Sequence, residues 1–125
     1  MLILLVAALV VPAVAASSPG EEREKGETRV RASCSGGAIS TIRLRSEGRR
    51  IRIDFALELD DRSRSGSWRV VILHERRLVA RATLPAARRK SLELRRTVAN
   101  WFGADTVASR ATGPRGESCR LSATL

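Results

Sequence analysis

Two cysteines, Cys34 and Cys119, and a single histidine, His74, are the scarcest reactive side chains in this chain of 125 residues. Cys34 shares strand parity with Val30 and Ala32, and Cys119 shares it with Leu121 and Ala123, so both sulfurs are expected to point into one core. An even cysteine count then reads as a disulfide joining the first strand to the last. In the chain-entropy model, closing so long a loop is worth ~4 to 5 kcal/mol. The same inventory argues against a metal site, because two thiols and one imidazole supply too few soft ligands for zinc. His74 stands at a strand end beside Glu75. Adjacent strand residues point to opposite faces, so this pair is not an assembled triad, and His74 is expected near solvent. No Gly-x-Ser-x-Gly elbow, glycine-rich phosphate loop or His-Glu-x-x-His stretch occurs, and no acidic run has calcium-loop spacing. The expectation is a non-enzyme with no cofactor and no metal.

The remaining chemistry is charge. The formal net charge is +10, and almost all of it is arginine, the only lysines being Lys25 and Lys90. Guanidinium forks suit phosphate and carboxylate partners. Arg43, Arg45, Arg49, Arg50 and Arg52 fall on one hairpin, largely on its outward parity, and are the candidate anion-binding group. Arg88, Arg89 and Lys90 form a second basic run in a loop. Sequence-specific nucleic-acid recognition is not expected, since there is no tyrosine and no interleaving of aromatics for base stacking. Asp54, Glu58 and Asp60 share the polar face with Arg52 and Arg62, the pattern of cross-strand ion pairs. Trp101 and Phe102, beside Gly103 at a corner, cannot easily share one face of a strand. They are the candidate partner-contact pair, and through them the alternative reading is a structural or protein-interaction domain.

These residues need strands to hold them. From Thr28 onward apolar and polar residues alternate with period two. The clearest run is Ile51, Ile53, Phe55, Leu57 and Leu59 against Arg52, Asp54, Ala56, Glu58 and Asp60. A hairpin follows over residues 66–84. Its first strand, Trp68 to Leu73, is apolar on both faces, as a central strand covered on both sides requires. Trp68 is expected in the core. Arg96 interrupts the alternation of Leu92, Leu94 and Val98, hinting at a bulge or a sheet edge. Turn signals recur every ten or so residues, and no segment offers a capped helical stripe. The expected fold is all-β: a single antiparallel sandwich, immunoglobulin- or fibronectin-like, of about seven or eight strands.

Ahead of it, residues 1–16 form an apolar run ending in Ala13-Val14-Ala15, which fits the small-x-small rule for signal cleavage, although no basic residue precedes the run. It is too short for a transmembrane helix, which needs ~20 apolar residues. Residues 17–27 are polar and charged and read as a flexible leader. The domain is expected over residues 28–125, secreted, without a membrane anchor, and monomeric.

The order of Cys34-Ser35-Gly36-Gly37, Ile51-Arg52-Ile53-Asp54-Phe55, Gly66-Ser67-Trp68-Arg69-Val70, Gly103-Ala104-Asp105-Thr106-Val107 and Gly116-Glu117-Ser118-Cys119 resembles a group of small secreted proteins of GC-rich Gram-positive bacteria. The resemblance implies a secreted β-sandwich and brings no active site or ligand with it. The functional expectation is therefore a non-catalytic module that binds anionic envelope or extracellular polymers through a basic face.

Overall fold

The computed structural model describes residues 20–100 and 103–125. The apolar run at 1–16 and the pair Trp101-Phe102 lie outside the described residues. Among the described residues nine strands follow one another: β1 (Gly20–Glu24), β2 (Glu27–Ser33), β3 (Ile39–Glu47), β4 (Arg50–Glu58), β5 (Ser67–His74), β6 (Arg77–Pro85), β7 (Ser91–Ala99), β8 (Thr106–Thr112) and β9 (Ser118–Thr124). They form two antiparallel sheets, one ordered β1-β2-β3-β4-β7 and the other β6-β5-β8-β9. The protein is an all-β sandwich, as the alternating pattern requires. Its strand order differs from the A-B-E-D and C-F-G sheets of an immunoglobulin constant domain. Here β2, β3 and β4 run as consecutive hairpins within one sheet.

Alternation explains the core directly. The inward positions of the first sheet supply Ile42, Leu44, Ile51, Ile53, Phe55 and Leu57, all essentially without exposure. The second sheet answers with Trp68, Val70, Ile72 and Val107. Full burial of each such side chain is worth about 1.5 to 3 kcal/mol against leaving it in water. The Trp68 indole N–H donates to the Ser63 carbonyl at 3.2 Å, so the largest core residue leaves no orphaned donor. Ser63 sits in a 3-10 turn, Asp61–Ser63, capped by Asp60, whose carboxylate accepts from the Ser63 N–H and hydroxyl at 3.0 and 2.6 Å.

Cys34 and Cys119 are joined by a disulfide with Cα atoms 4.5 Å apart, tying the end of β2 to β9 across the two sheets. At the far end of the same strands, Thr28 Oγ1 donates to the Thr124 carbonyl at 2.9 Å. Strand β9 is thus fastened to the first sheet at both ends.

Two expectations change. Residues 20–24, read as flexible leader, form the edge strand β1, paired with β2 through the two-residue turn Lys25-Gly26, and Glu27 opens β2 itself. An edge strand satisfies its backbone on a neighbour without burying an apolar side chain, which is why hydropathy missed it. This strand brings the count among the described residues to nine rather than seven or eight. Second, β5 is central in its sheet but covered on one face only. Trp68, Val70, Ile72 and His74 are buried, while Val71 and Leu73 point outward, half-buried. Arg96 marks a sheet edge, one of its two expected meanings, since β7 is the last strand of its sheet; among the described residues a register shift falls between Ile72 and Leu73 instead.

Candidate functional site

The hairpin arginines do share a face. Arg43, Arg45, Arg50 and Arg52 occupy outward positions of β3 and β4, with Arg45 directly opposite Arg52, while Arg49 sits in the connecting turn. The fold then surrounds them with acids. Glu27, one strand over, accepts from Arg43 Nε and lies 3.7 Å from Arg45 Nε. Asp54 lies 3.2 Å from Arg52 and 2.7 Å from Arg95, and Glu47 stands 3.9 Å from Arg52. Glu58 accepts from Arg31 at 3.0 Å. The hydrogen bond from Arg43, reinforced by the charges of Arg43, Arg45 and Arg29, holds the Glu27 carboxyl below its ordinary range. A depression on this face is lined by Arg43, Arg52 and Arg95 together with Asp54 and Glu93. The surface is a mixed lattice in which each cluster of cations has its carboxylates in reach. Cross-strand pairing of Asp54 and Glu58 is as expected; Asp60 instead caps the turn before Trp68, where the hydrogen bond from the Ser63 hydroxyl lowers its pKa.

The outer face of the other sheet has no such compensation. Its register stacks three rows across the strands in the order β6, β5, β8, β9. One row is Thr83, Arg69, Thr112 and Ser118; the next is Arg81, Val71, Arg110 and Arg120; the third is Leu78, Leu73, Ala108 and Ser122. These rows contain four arginines and no acid. Arg69, Arg81, Arg110 and Arg120 are all exposed, and among the described residues none of the four makes a side-chain ion pair. Arg110 and Arg120 face each other directly, with a Cβ separation of about 5 Å, and like charges so placed destabilise a sheet. Arg81 lies two strands from Arg110, or roughly 10 Å. Sequence reasoning missed this group because its members are scattered over four strands, and only the pairing register brings them together.

At one end of the sandwich His74 is buried, contrary to its expected place near solvent. Its Nε2 meets Asp105 Oδ1 at 2.8 Å, and both side chains have less than one-twentieth of their surface exposed. Parity explains the position, since His74 continues the inward series Trp68, Val70, Ile72. Glu75 and Arg76 turn the chain with φ of 49° and 66°, a conformation that non-glycine residues seldom hold. Glu75 is clamped there: its N–H donates to the Thr106 carbonyl at 3.0 Å and its carboxylate accepts from the Thr106 N–H. Among the described residues, His74, Glu75 and Asp105 are the one group able to offer three metal ligands, with donor atoms within 4.8 Å of one another. A cation there would have to displace the buried His74–Asp105 bond. The pair as it stands fastens the start of β8 to the end of β5.

No protein-family model matches the chain, and no curated protein matches it.

Proposed function

We propose that this protein is a secreted, non-catalytic β-sandwich module that holds anionic polymers of a cell envelope or extracellular medium on the outer face of its β6-β5-β8-β9 sheet. The observation that carries this reading is the acid-free arrangement of Arg69, Arg81, Arg110 and Arg120. A facing Arg110–Arg120 pair raises the energy of the isolated domain, and an external polyanion supplies the counter-charge that the fold withholds. The opposite sheet also carries outward arginines, and it pairs Arg31, Arg43, Arg45, Arg52 and Arg95 internally with Glu27, Glu47, Asp54 and Glu58. Ser and Thr hydroxyls fill the positions around the unpaired arginines and offer further hydrogen bonds to an oxygen-rich ligand. Export is supported by the apolar run at 1–16 and by the disulfide, which persists in oxidising compartments.

The test is retention of the full chain on an immobilised anionic polymer, at low and at ~150 mM salt, where exposed charges are screened beyond ~8 Å. Two triple variants remove the same charge from different faces. Replacing Arg81, Arg110 and Arg120 by Ser should abolish most retention, while replacing Arg43, Arg45 and Arg52 should leave most of it. The reverse order of elution would overturn the assignment.

A further inference from the structure

We infer that the anionic surface this face docks on is a phospholipid bilayer, entered at the β5–β6 hairpin. The inference rests on the proposed anion-binding face and names its partner. Its own observation is the apolar row beside the arginines. Leu78 is the large hydrophobic residue left exposed among the described residues, with 51% of its surface open. The register sets it directly across from outward-facing Leu73, whose other neighbour is Ala108. The next row inward along the strands is Arg81, Val71, Arg110 and Arg120.

A soluble polymer has no use for the leucine row; a bilayer does. Rows on one face of a strand are two residues apart, about 7 Å, because each residue advances the strand by roughly 3.3 Å. Interfacial elements bury their apolar face ~5 to 10 Å into the boundary between headgroups and acyl chains. With this outer face tilted onto the bilayer so that the leucine row leads, Leu78 and Leu73 reach the acyl boundary, and the arginine row behind them lies at phosphate depth. Arg69 and the hydroxyls of Thr83, Thr112 and Ser118 remain on the aqueous side. Arg76 and Arg77, in and after the turn beyond the leucine row, extend their long side chains back to the phosphates of the same negatively charged leaflet. Glu75, the acid at this tip, has its carboxylate committed to the Thr106 N–H. Charge and apolar surface thus supply the two signals that stable peripheral binding needs.

Co-sedimentation of the full chain with phosphatidylglycerol–phosphatidylcholine vesicles tests this, with pure phosphatidylcholine vesicles and a soluble anionic polysaccharide as parallel arms. Every protein compared carries the same N-terminus, so the apolar run at 1–16 contributes equally throughout. Leu78→Ser should weaken binding to the anionic vesicles about tenfold, the scale of keeping one leucine side chain in water, and should leave polysaccharide binding unchanged. A double Arg110→Ser, Arg120→Ser variant should lose about thirtyfold on the vesicles at low salt and should also lose the polysaccharide. If the parent binds the polysaccharide but not the anionic vesicles, or Leu78→Ser binds the vesicles as the parent does, the bilayer inference is wrong and the polymer reading stands. Binding to neither overturns both.

Discussion

At the scale of single residues, the side chains that matter most for stability are polar ones in apolar surroundings. Removing one partner of the buried His74–Asp105 pair costs the other a buried hydrogen bond, typically about 1 to 3 kcal/mol. His74→Ala should therefore show a urea midpoint far below that of the parent, whereas a surface histidine would have shown almost no change. Glu27 and Asp60 contribute to the loss of stability in acid. Hydrogen bonds from Arg43 and from the Ser63 hydroxyl hold their folded-state carboxyls below the ordinary range, so the unfolded chain binds more protons than the folded one. Their stabilisation is complete above the ordinary carboxyl pKa values of ~4 and drains away as pH falls through that point toward the folded values. Thermal unfolding followed into acid should show this decline, and Glu27→Gln should flatten part of it. A pH profile unchanged by Glu27→Gln would contradict the role given to its arginine neighbours. Parity with Trp68, Val70 and Ile72 carried the inward position of His74, but its place at a strand end pointed to solvent instead; its partner left no trace, because Asp105 lies in the loop before β8, whose pairing the sequence does not declare.

At the scale of elements, strands were readable wherever one face is buried, since alternation is the trace of that burial. Both outcomes appear side by side: β4 carries the strongest alternation and is a strand as expected, while β1 buries nothing apolar and was invisible. The two outward apolar residues of β5, Val71 and Leu73, mimic a doubly covered strand, and the pattern alone cannot tell a covered face from an exposed apolar one. The connections are more exacting than composition conveys. Gly66 has φ of +83°, and a Cβ there would lie 2.6 Å from the Pro114 side chain, where the loop before β5 meets the turn between β8 and β9. Gly66→Ala should destabilise by about 1 to 3 kcal/mol, combining a disfavoured backbone with a clash, and calorimetry should register it as a lowered Tm. The disulfide acts at the same scale. Replacing Cys34 and Cys119 by Ser frees a separation of 85 residues and should cost ~4 to 5 kcal/mol in the entropy model, read as a shift in the denaturant midpoint.

The whole molecule is a sandwich whose two outer faces treat the same residue type in opposite ways. On the β1-β2-β3-β4-β7 sheet, arginines interleave with Glu27, Glu47, Asp54 and Glu58; on the β6-β5-β8-β9 sheet they stand without acids. The outward direction of Arg43, Arg45 and Arg52 was legible from parity. Their neutralisation was not, because Glu27 belongs to a segment with no apolar residue, and its neighbourhood to Arg43 and Arg45 is a fact of register. The same holds in reverse for Arg69, Arg81, Arg110 and Arg120, distant in the chain and adjacent on the sheet. One measurement tests the functional account most directly: arginine-selective chemical modification of the full chain, free and saturated with an anionic polymer, read residue by residue by mass spectrometry. The account predicts protection of Arg81, Arg110 and Arg120 on binding, with Arg43, Arg45 and Arg52 reacting equally in both states. Protection of Arg43, Arg45 and Arg52 with no change at Arg110 and Arg120 would contradict it.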